Sequence, residues 1–524
     1  MPEYLTPGVY IEEIERGPRP IEGVPTSTAA FLGETERGPI SPRMVTSYIE
    51  YKRWFGDVFR PQRDRYMPYA ASGFFENGGK RLYVCRIVGD DATTASAVLH
   101  DNFRVSAVGA GAWGKRIFAK IGKGTTEAVP PGGTEKKSIG LRLQVAYWAS
   151  YPEGAPLFDP FVASDPVKMP RPTLTEDWDD LSLDPKSPDY YEKRLTGNSA
   201  LVELIRIDET NGTLPEDDQS ATLENGEDAP EIDVADYVGE PAGNRQTAQG
   251  LFALTMDPYR DVALVHAPFF APAQDLVTKK VVSHCENMRF RFAVIDSDLT
   301  TSNYNDVDPR TKVVESQYAA FYYPWLQVAD PQSGALKYVP PGGYALGVYA
   351  RTDVERGVFK APANETVRGA VGLRFDINDR MQETLNPRGV NVIRAFPGRG
   401  IRIWGARTLS SNGLWKYVSV RRLFIFLERS IYEGTQWVVF EPNDDRLWAR
   451  VTDTVRLFLR TQWRNGALFG RVEKEAFFIT CDRTTMTQDD ILNGRLICEI
   501  GIAPVRPAEF VVFRIFQHTA EAQR

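Results

Sequence analysis

The chain has 524 residues, enough for three or four domains and a sizeable core, with the 42% apolar and 25% charged content of an ordinary soluble protein. Its net charge of −7 gives no electrostatic footprint for nucleic acid, and no apolar run approaches the roughly 20 residues of a membrane-spanning helix. The opening MPEYLTPGVYIEEIE is acidic and interrupted by proline, unlike a signal peptide, and Cys85, Cys285, Cys481 and Cys498 include no C-x-x-C pair, which predicts reduced, partly buried thiols in a cytoplasmic product.

Residues 1–25 read as an arm. Pro2, Pro7, Pro18, Pro20 and Pro25 bracket one extended run, Gly8–Glu15, and proline holds its predecessor extended, so no helix forms here. That run has no neighbour for a tight hairpin and must join a sheet edge, in its own chain or another copy. Residues 26–88 open an α/β core: strand Ala29–Gly33, helix Ser47–Phe55, helix Tyr66–Asn77 closed by Gly78 and Gly79, and buried strand Arg81–Val88. Residues 89–243 change texture and read as an inserted β-rich domain. Its strands are Asn102–Val108, Lys115–Ile121, Gly140–Trp148 and Ala200–Ile207, with Pro130–Gly133 and Pro152–Pro188 as surface loops. Asp208–Glu240 carries twelve acids and no Lys or Arg. It lacks the spacing of a calcium loop and reads as a solvated loop.

The core resumes over residues 244–363. Strand Val262–His266, helix Pro272–Asn287 and strand Phe290–Asp296 have the spacing of a βαβ unit with parallel pairing. Tyr318–Val328 is a helix start or a strand against that sheet, and Gly342 and Gly343 mark a turn into a small-residue helix. Residues 364–507 read as a C-terminal α/β domain: a short helix in Asp376–Leu385, turns at Pro387, Gly389, Pro397, Gly398 and Gly400, and two long amphipathic helices, Val418–Glu433 and Asp444–Asn465. Arg495–Ile502 and Glu509–Gln517 read as strands, the second forming a terminal arm over residues 508–524.

The second long helix is the most informative piece. Asn443 or Asp444 suits its N-cap and Gly466 its C′ position. At about 100° per residue, Leu447, Trp448, Val451, Val455, Phe458, Leu459 and Trp463 share one side. Arg446, Arg450, Arg456, Arg460 and Arg464 share the other, with Leu457 intruding and Asp453 the one acid in the stripe. Such a stripe is either a solvated face laced with local ion pairs or a surface for a negatively charged partner.

Catalytic motifs are present only in outline. Gly109–Gly114 fits G-x-G-x-x-G, but strand-like KRIFAKI follows where a dinucleotide site needs a helix. His100, His266, His284 and His518 have no partners at metal-ligand spacing, so no metal or cofactor is expected. Asp296 and Asp298, at a strand's carboxyl end, leave one rival reading, a nucleotide-binding α/β enzyme built on the 262–298 βαβ unit.

Several segments resemble contractile tail sheath proteins. They are TPGVYIEEIERGPRPIEGVPTSTAAFLGETERGP (Thr6–Pro39), FFENGGKRLYVCRI (Phe74–Ile87), GAWGKR (Gly111–Arg116) and, most specifically, PPGGYALGVYARTDVERGVFKAPAN (Pro340–Asn364). NPRGVNVIRAFPGRGIRIWGARTLS, LFIFLERSIYEGTQWVVFEPND and RPAEFVVFRI extend the resemblance over most of the chain, with 125–245 its weakest part. It implies a non-enzymatic subunit of mixed α/β fold that polymerises helically around an inner tube protein. Baseplate and terminal cap proteins are the other implied partners, with neither nucleic acid nor membrane insertion. It implies assembly in the bacterial cytoplasm into a phage tail or phage-like particle. It also implies that terminal arms, Val9, Tyr10, Ile11, Glu12 and Glu13 at one end and Phe510, Val511, Val512 and Phe513 at the other, add strands to neighbouring subunits. Gly17–Pro25 and Ala503–Pro507 would then be flexible connectors, and the five arginines would face the tube.

Overall fold

A computed structural model describes residues 20–58, 65–129, 134–152, 155–162, 170–240, 248–268 and 274–514. The chain divides into two compact units, one of residues 25–421 and one of residues 422–524 with residues 1–24.

The larger unit is built on a nine-stranded sheet. Leu82–Arg86, Ala29–Gly33, Leu264–His266, Phe292–Asp296, Ala319–Tyr323 and Val390–Phe396 run parallel in that spatial order. Antiparallel strands flank them, Arg43–Val45 at one end and Gly400–Ile403 with Glu365–Thr366 at the other. The central strands are buried along their length, as their continuous apolar runs require of a sheet covered on both faces. Tyr318–Val328 therefore resolves as strand, divided into Ala319–Tyr323 and Leu326–Ala329.

Helix Gly342–Arg356 carries the crossover between Ala319–Tyr323 and Val390–Phe396, and packs on helix Met67–Glu76. Glycine sets how closely the two approach. A Cβ at Gly343 would lie 2.6 Å from Ala70 Cα, and one at Gly347 would lie 2.5 Å from the Phe74 carbonyl oxygen. This is the physical content of the PPGGYALG stretch. The crossover also explains a difference in domain limits. Sequence texture suggests a boundary near residue 364, whereas Val390–Phe396 and Gly400–Ile403 lie in the large sheet and the compact units divide between Arg421 and Arg422.

The insertion holds a four-stranded sheet, Leu174–Leu181, Leu141–Tyr147, Ile117–Lys123 and Gln219–Thr222, and a three-stranded one, Val202–Arg206, Phe103–Ala107 and Ser96–Leu99. A shared apolar core lies between their buried faces. Leu174–Leu181 corrects the expectation of a loop across Pro152–Pro188. Its four acids mask the alternation, yet Glu176 is buried and accepts hydrogen bonds from Ser199 Oγ at 2.6 Å and the Ala200 amide at 2.8 Å. The acidic stretch Asp208–Glu240 is likewise more structured than a solvated loop. It contains strand Gln219–Thr222 and a capped helix, Val234–Val238. Asp218 pairs with Lys120 at 2.8 Å and Glu227 with Lys115 at 2.6 Å.

A buried polar seam joins the insertion to the sheet. Tyr147 Oη donates to Glu36 Oε1 across it at 2.6 Å, and on the core side the Arg86 guanidinium donates to the Gly38 carbonyl at 3.0 Å. Burial pushes the Arg86 guanidinium down to about 10, still charged at neutral pH.

The smaller unit pairs helix Asp445–Arg464 with the part of Val418–Gly434 that follows Arg421, with the Phe426 and Phe458 rings 6.0 Å apart. Beside them lies a two-stranded antiparallel sheet, Phe477–Thr480 with Glu499–Ile502. Both expected connectors are docked where they are described. Ile21 is buried, the Val24 amide donates to Ser430 Oγ at 3.2 Å, and a Cβ at Gly434 would meet Ile21 at 2.7 Å. At the other end, Ala503 donates to the Ala476 carbonyl at 2.9 Å and Val505 to the Ala467 carbonyl at 3.2 Å.

Candidate functional site

The arginine helix forms as its sequence requires. The Asp444 carboxylate accepts from the Leu447 amide at 2.8 Å, and Gly466 has φ 86°, the left-handed conformation that suits a C′ glycine. Leu447, Trp448, Val451, Val455, Phe458 and Leu459 are buried, and Trp463 is half-buried with its indole donating to the Gly470 carbonyl at 3.0 Å.

The opposite stripe is more neutralised than its own sequence suggests. Arg450 pairs with Glu441 at 2.8 Å, and its guanidinium lies 5.1 Å from the Trp437 ring centroid. Arg456 lies 3.1 Å from Asp453 and 3.8 Å from Glu473, while Arg460 reaches Glu473 at 2.7 Å. The hydrogen bond from Arg460 holds the Glu473 carboxyl below its usual range. Arg446 and Arg464 form no ion pair among the described residues. Sequence periodicity misses Glu441 and Glu473 because they lie off the helix, on the turn before it and the segment after it. Leu457 is 48% exposed among these charges.

The second candidate site is the two-stranded sheet and the chain that leaves it. Among the described residues, the outer edge of each strand pairs with no further strand, apart from the contact of residues 467–469 with residues 503–505 beyond its end. Past Val505 the chain runs out through Phe510, Val511, Val512 and Phe513, which are 72%, 68%, 77% and 85% exposed and belong to no strand. Val9, Tyr10, Ile11, Glu12 and Glu13 lie outside the described residues.

Three of the carboxylates at the rival enzyme site already accept from backbone amides. A cleft of about 440 Å³ at the carboxyl ends of the parallel strands is lined by Asp296, Asp298, Asp306, Asp308 and Lys312, among others. Asp298 caps a turn by accepting from the Thr300 amide at 2.7 Å, and Asp308 caps the short helix Pro309–Lys312. Asp296 Oδ1 accepts from the Gly342 amide at 2.7 Å, at the start of the crossover helix. A phosphate there would face the carboxylates of Asp275, Asp298, Asp306 and Asp308, the buried Asp296, and one lysine. Gly109–Gly114 leads into a single 3₁₀ turn, Ala112–Arg116, and then a strand, so it presents no helix N-terminus to a pyrophosphate. Among the described residues no three His, Cys, Asp or Glu groups come together to hold a metal, and no helix is long and apolar enough to cross a membrane.

Two adjoining family models match this chain: the phage tail sheath protein central domain over residues 240–409 and the phage tail sheath C-terminal domain over residues 410–518. The mixed α/β, multidomain architecture is that of a sheath protein. With more than half of its length matched, the chain belongs to the phage tail sheath family. It is 28% identical over 196 residues to a prophage major tail sheath protein of Pseudomonas aeruginosa strain UCBPP-PA14, across 37% of this chain and 49% of the relative. It is 21% identical over 294 residues to the tail sheath protein of Vibrio phage KVP40, across 54% of this chain and 42% of the relative. The matches thus span half or less of these relatives' lengths. The contracted sheath complex of the extracellular contractile injection system PVC has the same fold, with a TM-score of 0.59 at 22% identity over 100% of both chains. The contracted helical sheath of the anti-feeding prophage gives 0.57 at 23% identity, covering 98% of this chain and 100% of that one.

One buried pair in the core makes a pH prediction. His266 and Asp296 are wholly enclosed with Nε2 and Oδ2 3.6 Å apart, and His266 Nδ1 lies 2.9 Å from the Val294 carbonyl. Burial pushes the Asp296 carboxyl up to about 8 and the His266 imidazole down to about 4, so both are neutral near pH 6. The unfolded chain releases the Asp296 proton near its ordinary 3.8, the folded chain only near 8, so this carboxyl removes stability progressively as pH rises between those values. Asp296→Asn keeps the acceptor for Gly342 and abolishes that loss. Urea unfolding of the larger unit should show a stability gain over the parent chain that widens from pH 4 to pH 8; a gain independent of pH would contradict the assignment.

Proposed function

We propose that this chain is a structural sheath subunit of a contractile tail or injection machine, polymerising helically around an inner tube and contracting to drive the tube through a target envelope. The observation that carries the reading, beyond family membership, is a sheet with only two strands among the described residues, followed by an exposed, apolar segment of strand-forming composition that belongs to no strand. Two strands alone are marginally stable in water, and an open edge accepts a further strand through main-chain hydrogen bonds. Phe510–Phe513 has the composition of such a strand. Donation to the next copy is a heterologous contact, which propagates into an open helix instead of closing into a dimer. The arm around Val9–Glu13 would supply a second strand in the same way.

The arginine stripe is the candidate tube contact. Exposed ion pairs contribute about 0–1 kcal/mol each. Arg446 and Arg464 are available at once, and Arg450, Arg456 and Arg460 can exchange local carboxylates for those of a tube. A grip of many weak pairs holds an extended sheath along its length and still lets go during contraction. Baseplate and cap proteins complete the proposed partners. Assembly takes place in the bacterial cytoplasm, on a particle that is later released or retained, and the subunit performs no catalysis.

Two outcomes test this. A chain ending at Pro507 should fold but form no cylinders by electron microscopy; normal cylinders would rule out strand donation by the C-terminal arm. Arg446→Glu with Arg464→Glu should reduce co-sedimentation of sheath with tubes several-fold at low salt, with the difference shrinking as salt rises; unchanged binding would remove the stripe from the tube interface.

A further inference from the structure

We propose that Cys481 and Cys498 form a reversible intramolecular disulfide, a redox-closed staple across the end of the two-stranded sheet. The two residues continue the register in which Thr480 faces Glu499 and Phe477 faces Ile502. Ala503 donates to Ala476 across the opposite end of the ladder at 2.9 Å, which makes residues 476 and 503 a hydrogen-bonded pair. Antiparallel pairs alternate, so five steps on, Cys481 and Cys498 face each other at a non-hydrogen-bonded position. Non-hydrogen-bonded pairs have a typical Cα spacing of about 4.5 Å, within the roughly 4.4–6.8 Å that a disulfide spans.

The surroundings hold the thiols together on both sides. The ladder ends on one side, and on the other Thr485 Oγ1 donates to the Ile497 carbonyl at 2.9 Å. Both cysteines are free thiols, and each perturbs the titration of the other. Cys481 is 8% exposed and Cys498 is half-buried, so an incoming oxidant meets Cys498 first. Burial pushes the Cys498 thiol up to about 12 and raises that of Cys481, which keeps both protonated and makes exchange slow near neutral pH. Cys85 and Cys285 are fully buried elsewhere in the chain and act as internal controls.

The oxidant class is a small-molecule disulfide such as oxidised glutathione. The Cys498 thiolate attacks one glutathione sulfur and expels one glutathione thiolate, leaving a mixed disulfide. The Cys481 thiolate then attacks the Cys498 sulfur and expels the second glutathione. Two S–H bonds are lost, one S–S bond forms, and the two electrons and two protons leave in two glutathione thiols. The bond closes the loop over residues 482–497 and fixes the register of the sheet proposed above to accept strands. That consequence rests on the sheath reading; the chemistry does not.

The test uses the full-length folded chain, incubated with oxidised glutathione at pH 8.5 and read by intact mass and non-reducing peptide mapping. The proposal predicts a loss of about 2 Da, one peptide joining Cys481 to Cys498, unreacted Cys85 and Cys285, and reversal by a dithiol. The Cys481→Ser variant should stop at the glutathione adduct on Cys498, and the oxidised parent chain should resist proteolysis within residues 482–497. A glutathione adduct that persists on the parent chain, a bond between two chains, or two cysteines still free after oxidation would overturn it.

Discussion

Backbone groups at a sheet edge must pair with other backbone or remain with water, and the smaller unit leaves that choice open at its two-stranded sheet. Among the described residues, Phe477–Thr480 and Glu499–Ile502 pair only with each other, while Phe510–Phe513 stands exposed a few residues beyond. Burying four such side chains against water favours association strongly, at about 25 cal/mol per Å² of apolar surface. In the proposed assembly one contact satisfies both needs, completing the sheet and covering the apolar segment. The linkage is carried by main-chain hydrogen bonds, so it depends on register more than on the identity of each side chain.

The larger unit has the opposite character. Its central strands are covered on both faces, its crossover helix is seated through Gly343 and Gly347, and its insertion is tied down through Glu36 and Tyr147. Such close-packed parts move as bodies instead of deforming. The segments expected to act as connectors are also anchored where they are described: Ile21 packs on Gly434, and Val505 bonds to Ala467. Any change of subunit arrangement in the proposed machine must therefore place its hinges elsewhere than in Ile21–Val24 or Ala503–Val505.

Much of this was legible in the sequence because burial leaves a period. The βαβ unit, the helix Gly342–Arg356 and the Asp445–Arg464 helix with its caps follow from apolar spacing, glycine and capping residues. Leu174–Leu181 was hidden because a buried glutamate reads as surface until its donors, Ser199 and Ala200, are brought to it by the fold. The acids of 208–240 were hidden for a related reason, since Lys115 and Lys120 lie about a hundred residues earlier. Membership of Val390–Phe396 in the core sheet is a matter of topology, which no local pattern encodes. At the candidate site, the stripe was legible from one helix, but Glu441 and Glu473, which neutralise part of it, were not.

The account's central claim is that the exposed C-terminal segment becomes a strand only in a neighbouring subunit. Amide hydrogen exchange over residues 509–514, compared between dispersed subunits and assembled sheath, tests it most directly. The account predicts rapid exchange in the dispersed chain and strong protection, together with added protection of 477–480 or 499–502, on assembly. Protection already present in the isolated subunit, or exchange that stays rapid in the assembled sheath, would contradict it.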